Sequence, residues 1–214
     1  MTTTGVEIDE SLSRVERRKT RTNRRFLEVA LQLFSKKGIY WATVEDITEL
    51  ADQGKGTFYK YFDSKEAIIV ALLEEGLGEL SAITERVVQD IPVGPACLSK
   101  AIEARVDFFL NHPEHLLFFH QVRGMMQLEV EVAKELRDVY GSHLRRLAQL
   151  IRPSSESIGK ARELATAIGA YTSGLLTYYL LFEGEAGMKR RRKFFLESLE
   201  GGIHPLLRNG NGAW

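Results

Sequence analysis

The sequence contains little of what marks several large classes of protein. It has one cysteine, Cys97, and five prolines in 214 residues, which excludes an intramolecular disulfide and a collagen-like composition. Apolar residues make up 44% of the chain, so a disordered class is excluded as well. No apolar stretch that would serve as a secretory signal occurs in the first 19 residues. We therefore expect a cytoplasmic globular protein, built as one large domain or as a small and a larger one.

An overall charge excess is also lacking, since 29 Lys and Arg residues balance 29 Asp and Glu residues. The charge is nevertheless unevenly placed. Residues 11–65 contain twelve basic and seven acidic residues, a net of +5, and seven of the basic ones fall between Arg14 and Arg25. This part of the chain is either a polyanion-binding face or a solvated tail. We predict that residues 1–22 form a flexible basic arm.

One uncharged run, residues 164–182, has the length of a membrane span. Gly169, Ser173 and Thr177 recur at every fourth position of this run, which places small side chains on one face of a helix. Such a face lets two helices approach closely, either in lipid or in a buried dimer interface. We favour the interface and expect no membrane contact.

Apolar residues follow the helical period through nearly the whole chain, and we predict an all-α fold. A first amphipathic helix should end at Gly38. It should be followed by a short helix capped by Thr43, a tight turn, a second short helix, and a long helix opened by Asp63. The predicted ranges of these three helices are 44–51, 55–61 and 64–89. Further helices are predicted near 95–111, 113–120, 122–152, 157–183 and 187–207, with breaks at proline or glycine clusters.

The two short helices have the size of a helix-turn-helix. Phe58 and Phe62 should face a small core that also contains Val44, Ile47, Leu50 and Ala51. The other residues of the second helix would then face outward: Lys55, Gly56, Thr57, Tyr59, Lys60 and Tyr61. Lys can donate to guanine, a Thr methyl can meet a thymine methyl, and Tyr hydroxyls can donate to phosphates. The pattern predicts a DNA-reading surface in residues 23–70, and the alternative is a three-helix packing motif without DNA function.

Residues 24–75 resemble the DNA-binding domain of the TetR family of bacterial transcriptional regulators. The resemblance is carried by RRFLEVALQLFSKKG, by T-V-x-D-I at 43–47, and by KGTFYKYFDSKEAIIVALLEE. It implies that Lys55, Gly56 and Thr57 read bases, that Thr43, Tyr59, Tyr61 and Lys65 hold phosphates, and that Lys60 does either. The turn departs from the family's usual A-G-V-S, because Ala51-Asp52-Gln53-Gly54 stands there. We expect Asp52 to adopt the left-handed conformation and Gly54 to be a weak N-cap.

The same resemblance implies that residues 71–214 form an effector-binding and dimerisation domain. A homodimer through the helices near 157–183 and 187–207 would bind a pseudo-palindromic DNA operator, most often as a repressor. A small, largely apolar ligand of unknown identity would release it. Aromatic, methionine and polar residues within apolar stretches are the candidate ligand contacts, although at helical spacing such aromatic residues are more often plain core. These candidates are Phe109, His120, Arg123, Met126, Gln127, Tyr140, Tyr171 and Tyr178.

No catalytic residue, cofactor or metal site is predicted. His112, His115 and His120 lie within nine residues, but Pro113 separates the first from the others, and a five-residue spacing turns His115 and His120 away from each other. Motifs for phosphate binding, nucleophilic catalysis and zinc proteolysis do not occur. The basic run 189–193 is predicted to be a solvated helix face. The alternative functions are a membrane-associated or structural helical protein without specific DNA binding and, more remotely, an enzyme.

Overall fold

The computed structural model describes residues 13–128, 131–152 and 157–208, and the elements within these ranges are all α-helices. The predicted all-α fold is thereby confirmed. The helices are α1 (Arg14–Lys37), α2 (Val44–Leu50), α3 (Lys55–Phe58), α4 (Lys65–Val88), α5 (Pro95–Asn111), α6 (Pro113–Met125), α7 (Val132–Ile151), α8 (Ile158–Arg190) and α9 (Arg192–Arg208). The chain divides into two compact units, the first ending at Ile68 and the second beginning at Ile69.

Helix α1 begins earlier than the sequence suggested. The Ser13 side chain accepts a hydrogen bond from the backbone N–H of Glu16, and the Glu16 carboxylate accepts one from the backbone N–H of Ser13 at 2.8 Å. This capping box satisfies two amides that a helix start leaves without partners. The expectation of a flexible arm is therefore wrong for residues 14–22, which form the first turns of α1. The rest of the predicted arm, residues 1–12, lies outside the described residues.

Phe26 of α1 is fully buried at the centre of the first unit. Its ring centroid lies 5.5 Å from that of Phe58 and 6.4 Å from that of Phe62, both in edge-to-face geometry. Aromatic rings prefer this arrangement because the positive edge of one meets the negative face of the other. The contacts tie the segment that follows the turn to α1.

Two helix boundaries differ from the prediction, and one predicted break is confirmed. The side chain that caps α4 is that of Ser64, whose Oγ accepts from the Ala67 N–H at 3.1 Å, rather than that of Asp63. Helix α6 continues to Met125 and α7 begins at Val132, whereas the predicted helices were 113–120 and 122–152. Helix α8 is interrupted at Gly184, whose φ of 70° and ψ of 178° are not helical, as the Glu183-Gly184-Glu185 break predicted.

In the second unit, α8 packs against α5, α6, α7 and α9. The small residues Gly169, Ser173 and Thr177 lie on the buried side of α8, and the Ser173 hydroxyl donates to the carbonyl of Gly169 at 2.8 Å. Their assignment to a dimer interface is therefore wrong, because small side chains also allow close helix packing within one chain. No helix of the described residues, including this one, is long and apolar enough to cross a membrane.

Helix α4 passes very close to α6 at Gly76. A Cβ atom at this position would lie 2.6 Å from Cδ2 of His115 and 2.9 Å from Cζ of Phe119. Both rings belong to buried residues and have little room to move away. Because Gly76 has no side chain, this turn of α4 can pack directly against the rings of α6.

We expect Gly76→Ala to lower the free energy of unfolding by about 1–3 kcal/mol, the usual cost of overfilling a packed core. Gly78→Ala is the matched control, because a Cβ there would meet nothing within 4 Å. It should raise the free energy of unfolding by roughly 0.5–1 kcal/mol, since alanine is the better helix former. Denaturant unfolding of the two variants measures both effects, and equal effects of the same sign would contradict the close approach.

Candidate DNA-binding surface and effector domain

Helix α2 is held at its start by a second capping box. Thr43 Oγ1 accepts from the Asp46 N–H at 3.1 Å, and the Asp46 carboxylate accepts from the Thr43 N–H at 2.9 Å. Contact with Lys37, together with these Thr43 hydrogen bonds, lowers the pKa of Asp46 to about 2. The carboxylate therefore stays ionised at any physiological pH, and α2 keeps a fixed start.

The turn between α2 and α3 adopts the conformation expected from its unusual sequence. Asp52 has a φ of 54°, in the left-handed region that aspartate tolerates better than most residues. The Gln53 N–H donates to the Thr48 carbonyl at 2.9 Å and closes the turn. Gly54 stands at the N-cap of α3 without a side-chain hydrogen bond. Both expectations for the turn are confirmed.

Helix α3 is a single turn, Lys55–Phe58, and is shorter than the predicted 55–61. The chain remains coiled after it, because the N–H groups of Tyr61 and Phe62 donate to the Phe58 carbonyl at 2.8 and 3.0 Å. Phe58 and Phe62 are buried, as predicted. The side that faces away from them consists of the exposed Lys55, Gly56, Tyr59 and Lys60 and the half-buried Thr57 and Tyr61.

One residue expected in this small core lies outside it. Leu50 is 50% exposed, whereas Ile47 is fully buried, so the assignment of Leu50 to the core is wrong. Leu50 ends α2, and its carbonyl accepts a hydrogen bond from Nη2 of Arg25 at 3.2 Å. The backbone of Leu50 is held by this bond while its side chain points away from the core.

Two of the lysines predicted to contact DNA already have partners in the protein. Lys55 forms an ion pair with Glu45 of α2, and this contact lowers the pKa of the Glu45 carboxyl group. Lys65 donates to the carbonyls of Ile39 and Ala42, both at 3.0 Å, and so holds the loop between α1 and α2. Lys60 forms no ion pair with any residue in the described ranges.

Two further groups of residues are exposed in the first unit, and only the second was singled out from the sequence, as a basic arm. Tyr40 and Trp41 are 60% and 76% exposed just before Thr43, although large aromatic residues are usually buried. The basic residues of α1 are also exposed, and within the described ranges no carboxylate pairs with those nearest its start: Arg14, Arg17, Arg18, Lys19 and Arg21. The sequence signal for these basic residues was their clustering between Arg14 and Arg25. They were assigned to a flexible arm because the Ser13–Glu16 capping box was overlooked.

The predicted ligand residues are spread over different environments. Phe109 and Met126 are buried, Arg123 and Tyr140 are half-buried, and His120, Gln127, Tyr171 and Tyr178 are exposed. Arg123 donates through Nη1 to the Ser173 hydroxyl. The four exposed residues do not line an interior site with the others, and their role in ligand binding stays a prediction.

A cleft of about 620 Å³ opens along α4 and α7. None of the predicted ligand residues lines it. Ser81 and His143 belong to its lining, along with charged residues of both signs: Glu74, Glu131, Lys134, Glu135, Asp138 and Arg146.

A buried polar chain leads inward from this cleft. Ser81 Oγ lies 2.8 Å from His143 Nδ1, and Nη1 of Arg105 lies 2.9 Å from His143 Nε2. Burial, reinforced by the Arg105 charge, lowers the pKa of His143 to about 3, so its imidazole is neutral. The guanidinium therefore donates to Nε2, and the ring hydrogen is on Nδ1.

Arg105 itself is only 2% exposed, and burial lowers its pKa to about 10, so it remains a cation. Its Nε has no hydrogen-bond partner among the described residues, and no carboxylate of those residues forms an ion pair with it. A buried charge without a counter-ion is costly and uncommon in proteins. Arg105 is thus a buried cation that no carboxylate of the described residues neutralises.

The basic run 189–193 is largely neutralised within the chain. Arg192 contacts Glu103 and Asp107, the latter at 2.6 Å, and Arg191 contacts Glu183 at 2.9 Å. Lys189 and Lys193 each face a glutamate four residues away on the helix. These ion pairs support the interpretation of the run as a solvated helix face.

Comparison with known proteins connects this geometry to a family. The model of bacterial regulatory proteins of the tetR family matches residues 26–72, which contain α2, the turn and α3. The transcriptional repressor NicS of Pseudomonas putida is 25% identical over 67% of this chain and 66% of its own length. The transcriptional repressor DhaR of a Mycobacterium species is 25% identical over 81% of this chain and 84% of its own.

A solved structure extends the likeness to the fold of most of the chain. The regulator FadR of Bacillus subtilis, in complex with stearoyl-CoA, superposes with a TM-score of 0.69 over 85% of this chain and 99% of its own, at 17% identity. The match to the family model covers the helix-turn-helix, and the aligned repressors extend it into the second unit. The resemblance to the TetR family of bacterial transcriptional regulators that the sequence indicated is thereby confirmed.

Proposed function

We propose that this protein is a cytoplasmic repressor that binds a pseudo-palindromic DNA operator as a homodimer and leaves it when a small molecule binds the second unit. One observation carries the proposal: buried Phe58 holds α3 so that Lys55, Gly56, Thr57, Tyr59 and Lys60 face away from the core. This set has the donors and the methyl group that read base edges and phosphates in the major groove. The role proposed is binding rather than catalysis.

Lys55 must give up its ion pair with Glu45 before it can bind a base. Both side chains are more than half exposed, so water screens the pair and a guanine can compete for the lysine. Glu45 also repels the DNA phosphates. Lys65, held by two carbonyl groups, supports the α1–α2 loop and can add a phosphate contact only through its remaining donor.

The start of α1 adds a second basic surface. Its five exposed cations lie on a helix, so their spacing is fixed rather than adaptable. Basic residues that neutralise phosphates raise the affinity for all DNA sequences and make it depend on salt. We assign this role to the first half of α1 and base reading to α3.

The homodimer is proposed to form through the exposed side of α8 and the start of α9. This surface, named here the α8 apolar patch, consists of Tyr171, Tyr178, Leu181, Phe182 and Phe194, which are 41–72% exposed. The rings of Tyr178 and Phe182 stack at 4.5 Å. An exposed patch of large apolar residues marks an interaction surface. The helices are those predicted for the dimer, but their opposite face carries the contact.

The effector is proposed to be a molecule with a large apolar part and one acidic group. Apolar and aromatic side chains dominate the interior of the second unit, including Phe109, Phe118 and Phe119. The buried guanidinium of Arg105 offers a partner for a carboxylate, sulfate or phosphate. The FadR neighbour binds stearoyl-CoA, a ligand with a long acyl chain and anionic groups, which supports a ligand of this general kind.

The selection of random duplex DNA by the purified protein tests the DNA function. We expect enrichment of an inverted repeat with half-sites about one helical turn apart. Lys55→Ala should flatten the preference at one base pair in each half-site, a loss of about 1–3 kcal/mol of discrimination. Glu45→Gln is the matched variant, since it releases Lys55 without deleting it, and it should raise the affinity. A wild-type protein that enriches no sequence would contradict the proposal.

Substitution of Phe182 tests the dimer surface. Phe182→Glu places a charge in the most exposed ring of the α8 apolar patch and should convert the dimer to a monomer in analytical ultracentrifugation. Ile158→Glu is the control, because Ile158 is a 40% exposed apolar residue of the same helix outside the patch. A Phe182→Glu protein that sediments as a dimer would exclude this surface.

The acidic part of the effector is tested with decanoate and its neutral counterpart 1-decanol. Decanoate should raise the melting temperature of the wild type more than 1-decanol does, because only the carboxylate can pair with Arg105. Arg105→Gln should remove this difference, whereas Arg123→Gln should retain it, since Arg123 already has the Ser173 hydroxyl as a partner. The same response to both probes in the wild type would argue against an acidic ligand.

A further inference from the structure

A cluster of possible metal ligands lies where α5 meets α6. His112 joins the two helices, and Glu114 and His115 lie in the first turn of α6. One potential ligand atom from each of the three lies within 4.8 Å of the others. The unfavourable spacing of His115 and His120 does not exclude this site, because His120 is exposed and lies outside the cluster. The break between α5 and α6 at His112 instead places its side chain beside those of Glu114 and His115.

The separations within the cluster suit a small tetrahedral ion. Oε1 of Glu114 lies 3.5 Å from Nδ1 of His112 and 3.6 Å from Nδ1 of His115. Bonds of about 2.0–2.1 Å to a tetrahedral Zn²⁺ place neighbouring ligand atoms about 3.4 Å apart. Two edges of such a tetrahedron are thus nearly formed.

A second, independent observation is the state of His115. The residue is 9% exposed, and its Nδ1 is buried without a hydrogen-bond partner among the described residues. The 3.6 Å separation from Glu114 is too long for a hydrogen bond. A buried polar atom left unpaired costs about 1–3 kcal/mol. A bound ion would supply the missing partner.

The surrounding residues hold the rings in place. The Phe108 ring lies 5.0 Å from that of His112 and 5.6 Å from that of His115, and Phe119 lies 5.8 Å from His115 on the other side. Helix α4 closes over His115 at Gly76, where a Cβ would overlap the ring. The ligand geometry is therefore fixed by packing, which favours binding because little ordering is needed.

The exposure of the cluster also suits a cation. The side chains of His112 and Glu114 are 37% and 34% exposed, so an ion can enter from solvent, while that of His115, at 11%, forms the floor.

We propose that His112, Glu114 and His115 bind one divalent transition-metal ion, of which Zn²⁺ is the best fit. Two imidazoles and one carboxylate prefer Zn²⁺, Co²⁺, Ni²⁺ or Cu²⁺ to Mg²⁺ or Ca²⁺, which favour oxygen ligands. Three protein ligands leave a fourth position for water or for another ligand. The ion would join α5 to α6 next to the Gly76 contact with α4, and so stabilise the second unit.

The full-length protein without an affinity tag, free of DNA, is titrated with Zn²⁺ in competition with a chromophoric chelator. We expect one Zn²⁺ per chain and a higher melting temperature in its presence. Co²⁺ should give the intense visible absorption of a tetrahedral complex. Because no DNA is present, failure to bind Zn²⁺ would not bear on the proposed DNA-binding function, and failure to bind DNA would not bear on the metal site.

Each proposed ligand is tested by a glutamine variant: His112→Gln, Glu114→Gln and His115→Gln. Loss of an outer-shell partner of a metal site already weakens metal binding by roughly 10- to 100-fold, so each variant should weaken Zn²⁺ binding by at least that much. His120→Gln is the matched control on the same helix and should bind like the wild type. Because His112 and Glu114 are partly exposed, their variants should keep the wild-type circular dichroism. Unchanged Zn²⁺ affinity in these two variants, or a wild type without the Co²⁺ absorption, would overturn the site.

Discussion

The burial of Phe58 is the contact on which the DNA-binding surface depends. A helix of one turn has almost no stability of its own, because nucleation fixes several residues for one hydrogen bond. Helix α3 is therefore stabilised mainly by packing, in which the ring of Phe58 meets that of Phe26 edge-to-face. The weak N-cap of Gly54 adds little to it. The position of Lys55 and Thr57 thus follows from an aromatic contact inside the core.

Features set by neighbouring residues could be predicted from the sequence. The caps at Thr43 and Gly54, the left-handed Asp52 and the outward side of α3 all depend on a few adjacent positions. Features that depend on distant residues could not. The small-residue stripe at Gly169 and Ser173 is compatible with any close helix contact, and only the positions of α5, α6 and α7 show that it faces inward.

The same distinction explains what was missed in the second unit. Residue spacing predicts which side chains meet only within one continuous helix, and His112 lies at the break between α5 and α6, where its side chain comes near that of His115. The unpaired state of Arg105 is equally invisible in the sequence, because it is a property of what surrounds the residue. The helical period indicated that Phe109 and Met126 face inward, but it could not distinguish a residue that packs in the core from one that contacts a ligand.

The open space around Gly54 and Gly56 has a consequence for how this regulator evolves. A Cβ atom at either position would meet nothing within 4 Å. New side chains can therefore arise on the exposed side of α3 without disturbing Phe58 or the core behind it. Stability and the proposed DNA sequence preference are thus assigned to different residues. Gene duplicates of such a protein can diverge in the operators they recognise, one substitution at a time, while each intermediate still folds.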